Sequence, residues 1–316
     1  MSKARKLVQI VSFVFLIYGG YLIDRFYISG SLTSNLPALS CAYNNYGADY
    51  CMLISTQKQL FHLANREFLV GASAILGTFL SFGLLIVIFN KAFCGWVCPV
   101  GFIQEILYNA GKKLKLFQIS TLDRDKVLVL RKIRWAIFIL FVVALSLLAG
   151  CGYISRSFNS SFCAICPSRT ISTVATGNFE QIFIDYSNYI KLTLSAISGV
   201  LLGFIFILSF FIRQPFCRVC PMLAMSSLFS KLSFLRLTKN HHGKCERCKN
   251  CLKNCPMDIE EITYDKNGDI TKTDCIMCLK CVESCPHDDV LSLKFTKFSL
   301  FSSSKERFKK LIKSKK

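Results

Sequence analysis

The stretch Cys245-Glu-Arg-Cys248-Lys-Asn-Cys251-Leu-Lys-Asn-Cys255-Pro256, matched further on by Cys275-Ile-Met-Cys278-Leu-Lys-Cys281-Val-Glu-Ser-Cys285-Pro286, decides how the C-terminal part of the chain folds. Two-residue gaps between the first three cysteines let a turn of backbone wrap a small inorganic core. The proline after the fourth stops the chain from winding on as a helix. This is the spacing of a protein that holds two [4Fe–4S] clusters, in which the fourth thiolate of each run crosses to the other cluster. The spacing assigns Cys245, Cys248, Cys251 and Cys285 to one cluster, and Cys275, Cys278, Cys281 and Cys255 to the second. Two structural zinc sites are the competing reading, but those usually pair Cys-x2-4-Cys knuckles. Between the runs, Ile259–Tyr264 and Asp269–Lys272 flank a turn at Asn267-Gly268, which predicts a β-hairpin. Ile276, Leu279 and Val282 are expected to shield one cluster, Leu252 and Ile259 the other.

Working outward, the 316-residue chain is 52% hydrophobic, high for a soluble protein. Its apolar residues concentrate in four blocks, Leu7–Ile23, Phe68–Phe89, Trp135–Gly150 and Leu192–Ile212. Each is close to the ~20 residues that cross a bilayer as a helix, the third somewhat short. The second and fourth are apolar on every face, which disfavours a soluble helical core. The first follows Met1-Ser-Lys-Ala-Arg-Lys without a small-x-small cleavage site and reads as a retained anchor. The expected fold is a membrane all-α four-helix bundle, residues 1–238, followed by a small α+β two-cluster ferredoxin-like domain, 239–292. A basic tail, 293–316, is expected to rest on anionic lipid or to be solvated.

Lys and Arg outnumber Asp and Glu by 39 to 19, a formal charge of +20. Their placement fits membrane orientation rather than nucleic acid. Lys3, Arg5 and Lys6 precede the first block, and Lys91, Lys112, Lys113, Lys115, Arg124, Lys126, Arg131, Lys132 and Arg134 crowd the segment between the second and third. The positive-inside rule then puts both termini and the middle loop in the cytoplasm of a cell with an inner membrane.

The remaining cysteines fall at the ends of the blocks. Phe93-Cys94-Gly-Trp-Val-Cys98-Pro99 follows the second and Phe216-Cys217-Arg-Val-Cys220-Pro221 the fourth. Each proline suits the first turn of an amphipathic helix, expected along the cytoplasmic face of the bilayer. Cys41 and Cys51 follow the first block, Cys163 and Cys166 the third. The chain thus reads as a repeated unit of span, outer cysteine pair, span, Cys-Pro motif and surface helix. Pairing the halves about an axis along the membrane normal gathers an inner set, Cys94, Cys98, Cys217 and Cys220, and an outer set, Cys41, Cys51, Cys163 and Cys166. Cys151 is left over as an alternate ligand.

The inner set suits a four-thiolate metal site or cluster, or a redox dithiol pair. Cys98 and Cys220 stand at helix N-termini, where the dipole favours thiolate. The outer set suits either a metal site or disulfides. Pro167-Ser168-Arg169 and Phe162 are candidate contacts for a partner or a quinone, or plain interface packing. None of His62, His241, His242 and His287 lies in an apolar block, so axial ligands for a b-type haem are missing there. No glycine loop for NAD or ATP appears. His241-His242 beside Cys245 reads as linker.

With its four spans, Phe-Cys94-Gly-Trp-Val-Cys98-Pro99-Val-Gly101, second Cys-Pro motif and terminal cluster runs, the chain resembles the NapH/MauN family and the related membrane parts of NosR and CcoG proteins. The resemblance covers nearly the whole chain. It implies electron transfer between the quinol pool or a periplasmic partner and cytoplasmic clusters, as an accessory to a respiratory enzyme. It equally implies assistance in the maturation of a redox enzyme, and a redox sensor or scaffold is a third reading. In the family the Cys-Pro motifs are regarded as redox-active or partner-binding. Family motifs usually have three residues between the cysteines, whereas Cys217-Arg-Val-Cys220 has two, and the outer cysteines do not match the NapH pattern.

Overall fold

A computed structural model describes residues 4–14, 51–65, 68–175, 186, 188–240, 244–264 and 267–313. Cys41 and most of the first apolar block lie outside them; of that block only the helical stretch up to residue 14 is described.

The apolar blocks become helices. Phe68–Phe89 runs 22 residues without a charge, and Tyr189–Phe211 runs 23 with Lys191 in its first turn. The third block extends N-terminally into the basic segment to give a 27-residue helix, Arg124–Gly150, with a π-helical stretch at Phe138–Ala144. Among the described residues, the last two are long and apolar enough to cross a membrane, where four such helices were expected. Met52–Ala64 packs against Phe68–Phe89 and the end of the third helix, and Pro99–Lys113 packs against Tyr189–Phe211. That second contact is close: a Cβ on Gly111 would stand 2.5 Å from the Phe210 carbonyl oxygen.

Pro99 and Pro221 both open helices, Pro99–Lys113 and Pro221–Phe229. The second is not laid out on a surface, as expected of it: Ala224 and Met225 are buried in the helical core with Phe82, Ile86 and Val142, and Leu223 in the core of the C-terminal module with Leu237 and Ile276.

The ferredoxin module is built on an antiparallel sheet ordered β2-β1-β3-β4, with β1 at Leu235–Lys239, β2 at Gly268–Asp269, β3 at Leu291–Phe295 and β4 at Phe298–Ser302. Two expectations change here. The hairpin of 259–264 with 269–272 does not form: Glu261–Tyr264 is a helical turn and β2 pairs with β1 instead. Ile262 on that turn and Ile259 just ahead of it are both buried against the cluster loops, an arrangement a strand with alternating faces would not give. The module also reaches beyond 239–292, because its sheet takes β1 from the expected membrane domain and β4 from the expected tail. Lys305–Lys313 then forms a short basic helix.

Candidate metal centres

Two cavities in the module gather its eight cysteines. One is lined by Cys245, Cys248, Cys251 and Cys285, the other by Cys255, Cys275, Cys278 and Cys281. Each takes three thiols from one run and the cysteine before proline from the other. The backbone bends the same way in both runs. Arg247 and Lys249 in the first, and Met277 and Leu279 in the second, adopt left-handed φ values of 51°, 57°, 56° and 59°. Such conformations cost non-glycine residues of order 1–3 kcal/mol and persist where a site over-determines them. In the second run the Met277 N–H points at Cys275 Sγ, 3.4 Å away. Burial, reinforced by neighbouring thiols, pushes the Cys255 and Cys275 thiols up to about 12. Thiolates in such a place need a cationic core beside them, and an iron–sulfur cube supplies it. The donor set fits that group.

A third cavity lies among the helices, lined almost wholly by apolar groups and seven cysteines: Cys51, Cys94, Cys98, Cys163, Cys166, Cys217 and Cys220. The inner set and three of the outer set, Cys51, Cys163 and Cys166, expected on opposite faces, share this one space; Cys41 lies outside the described residues. Cys151 is exposed and takes no part in its lining. Cys98 and Cys220 do stand at the N-caps of their proline-started helices. The helix dipole does not prevail, however. Burial raises Cys98 despite the N–H groups of Gly101 and Val100, and burial with the neighbouring Cys98 raises Cys220 to about 12. Cys94 and Cys217 are raised by burial and by the other inner thiols. Among the described residues no three His, Cys, Asp or Glu are spaced to hold a single metal ion. A cube takes its thiolates one per iron and so spreads them wider.

The Cys94 loop docks directly on the second cluster run. Trp96 Nε1 donates to the Met277 carbonyl at 2.9 Å, and a Cβ on Gly95 would collide with the Ile276 carbonyl and stand 3.1 Å from Cys278 Cα. Only glycine permits that approach. The other inner motif grips the same cluster shell: Arg218, between Cys217 and Cys220, donates to the Pro256 carbonyl at 2.9 Å and pairs with buried Asp258 at 2.7 Å. Lys91 donates to the carbonyls of Thr271 and Thr273, at 3.1 and 2.7 Å. Burial lowers the Lys91 pKa against the opposing pull of Cys275, Asp274 and Cys94.

Two further anchors are ionic. Asp274, next to Cys275, takes Arg134 at 2.5 Å and Arg131 at 2.8 Å, while Glu105 takes Arg5 at 2.6 Å and Lys280 at 3.0 Å. Burial alone would raise both carboxyls, but the paired cations more than offset it and hold them below the usual range.

Sequence reasoning missed the docking residues Gly95, Trp96, Arg134, Arg218, Asp258 and Asp274. It also missed two buried glutamines, Gln57 and Gln104, each six residues after a cysteine that starts a helix. That shared offset was a signal open to inspection.

A family model described as "4Fe-4S binding domain" matches residues 70–116 and again 194–239, around the two inner motifs; another, "4Fe-4S dicluster domain", matches 238–286. The uncharacterized protein MJ0750 of Methanocaldococcus jannaschii is 32% identical over 65% of this chain and 73% of its own length. The ferredoxin-type protein NapH of Haemophilus influenzae is 22% identical over 71% and 67%, and the methylamine utilization ferredoxin-type protein MauN of Methylobacillus flagellatus 24% over 60% and 56%. The chain belongs to the NapH/MauN-type family. It is an iron–sulfur electron-transport protein related to NapH, MauN and NosR. About a fifth of one NosR protein is covered, so what the whole of that protein does stays with it. No solved structure matches the chain.

Proposed function

We propose that the chain is a membrane-bound relay that passes single electrons between a redox partner and the two ferredoxin clusters, through a cluster held by Cys94, Cys98, Cys217 and Cys220. The contact of Gly95 and Trp96 with the Cys275–Cys278 loop carries this reading, because it sets the inner thiols against the shell of one ferredoxin cluster. Cys245, Cys248, Cys251 and Cys285 hold the outlying cluster, and Cys255, Cys275, Cys278 and Cys281 the one beside the helices. The clusters supply the one-electron chemistry. The chain supplies thiolates, spacing and a dry surround.

A bilayer location is supported by the outward apolar faces of three helices: Leu76, Leu80 and Leu84 on one, Ile139 and Leu140 on the next, Val200, Phe204 and Ile207 on the last. The reading counts four spans, taking the first block with these three, and sets the module and both termini on the cytoplasmic side, which the basic segment 91–134 supports through the positive-inside rule. The partner is a periplasmic or membrane redox protein, or the quinol pool, served as accessory to a respiratory enzyme.

The test is iron and labile sulfide on full-length, anaerobically purified protein, with rapid-mixing reduction by a quinol. The relay predicts at least about twelve irons per chain. It also predicts that Cys94→Ser loses about four of them and leaves the ferredoxin clusters reducible by dithionite but not through the membrane donor. Unchanged iron and unchanged reduction in Cys94→Ser would defeat the reading. Stoichiometric metal reduction without quinol turnover would favour a maturation role, and partner binding that follows cluster loss at intact flux would favour a sensor.

A further inference from the structure

The outer cysteines stand in a setting that repeats the inner one nearly atom for atom. Gln104 lies six residues after Cys98. Its Nε2 donates to the Val100 carbonyl at 3.2 Å and approaches Cys217 Sγ at 3.9 Å, and its Oε1 accepts the Phe216 N–H at 3.0 Å. Gln57 lies six residues after Cys51. Its Nε2 donates to the Leu53 carbonyl at 3.1 Å and to Cys163 Sγ at 3.2 Å, and its Oε1 accepts the Phe162 N–H at 3.2 Å.

The surrounding helices match too. Ser161–Ile165 and Pro215–Val219 are five-residue helices that carry Phe-Cys and end on a cysteine, Cys166 or Cys220. A proline then opens a nine-residue helix in each case, Pro167–Ala175 and Pro221–Phe229. On the other side, Cys51 and Cys98 each cap the helix that carries the glutamine. Two glutamines, both fully buried, are spent in the same way on the same pair of groups. Core packing alone has no use for such a repeated polar clamp, since an apolar side chain would fill either place without a desolvation penalty.

We propose that Cys51, Cys163 and Cys166 hold a further iron–sulfur cluster, neighbour to the inner one across the shared cavity, with Gln57 as its positioning residue. The ligand class follows from the donors. The cysteines bring soft sulfur, and no His, Asp or Glu lines the cavity, which selects iron–sulfur over hard cations. A single ion is not matched by the spacing among the described residues. Three thiolates hold three irons of a cube, and the fourth iron takes a ligand other than these. The Gln57 N–H directed at Cys163 Sγ is the kind of hydrogen bond that tunes a cluster, raising its potential by stabilising the more negative reduced state. An electron accepted here from the donor reduces this cluster, and its passage to the inner cluster reoxidises it, so nothing else is consumed.

The inference rests in part on the inner site holding a cluster, because the two settings are argued from their likeness, but separate variants read the two. In full-length protein purified anaerobically in detergent, Cys163→Ser and Cys166→Ser are each expected to lose about four irons per chain, with the ferredoxin EPR signals retained. Cys151→Ser, at an exposed cysteine outside the cavity, is expected to lose none. Iron content at the wild-type level in Cys51→Ser, Cys163→Ser and Cys166→Ser overturns the proposal, as does recovery of a Cys163–Cys166 disulfide from protein alkylated under anaerobic conditions. Loss in the Cys163→Ser chain without loss in Cys94→Ser would keep this site and remove the inner one; the reverse would do the opposite. Where the serine variants fail to accumulate, Gln57→Leu decides. A negative shift in the potential of one cluster with the others unmoved supports the site, and an unchanged redox titration overturns it.

Discussion

The ferredoxin module and the cysteine cavity among the helices hold thiols by opposite means. In the module, most ligands of each cavity come from one short run, and left-handed residues such as Met277 and Leu279 curl the backbone around the space. In the helical region the thiols come from segments more than a hundred residues apart, and buried glutamines tie the segments together. A site of the first kind is made by local loop geometry. One of the second kind exists only once the helices have packed. The module should therefore keep its clusters under insults that empty the other cavity.

The largest effect expected from breaking this arrangement lies at the Asp274 anchor. Arg134→Ala leaves a buried carboxylate short of its closest partner, and loss of one member of such a pair typically costs about 3–5 kcal/mol. A thermal melt monitored by cluster absorbance should show early separation of module from helices, and a melt identical to wild type would remove Arg134 as an anchor. Gly95→Ala comes next. Its methyl group must push the Cys94 loop off Ile276, so quinol-driven reduction of the ferredoxin clusters should slow at least about tenfold, a barrier change of ~1.4 kcal/mol. Their direct reduction by dithionite should not change, and equal slowing by both routes would mean a folding defect instead. Trp96→Phe removes one hydrogen bond to Met277, worth about 1 kcal/mol, and should give a modest loss of stability with full iron content. The smallest effect belongs to Gln104→Leu. It should shift the potential of one cluster negatively in a redox titration and leave iron content near wild type.

How legible each region was follows from the same contrast. Spacing groups the first three cysteines of each run, because their order is a property of adjacent residues, and the motif adds the exchange of Cys255 and Cys285; the linings of the two module cavities show the same fours. The hairpin was misplaced because Ile259 and Ile262 answer to burial against the cluster loops rather than to the Asn267-Gly268 turn signal. The inner and outer cysteines were readable as pairs but not as one cavity, since hydropathy gives the ends of spans and says nothing of how far loops fold back between them. Arg131, Arg134 and Lys91 were read as orientation charges. They are also docking residues, a role invisible until Asp274, Thr271 and Thr273 are placed beside them. Gln57 and Gln104 show no anomaly singly. Only their common offset from Cys51 and Cys98 marks them.

The seam between helices and module has one more consequence. β1 begins three residues after the turn Ser230–Leu232, and the Phe234 N–H donates to the Val87 carbonyl at 2.7 Å, at the end of the Phe68–Phe89 helix. Asn90, in a left-handed conformation that asparagine tolerates, donates to Ser233 Oγ at 2.6 Å and to the Leu235 carbonyl at 2.8 Å. The first strand of the module is thus spliced onto a helix rather than hung from a tether. A carrier domain on a flexible leash must swing and search before each transfer, and its rate falls as the medium thickens. This one is a soldered joint, and its internal transfer rate should be indifferent to glycerol or sucrose.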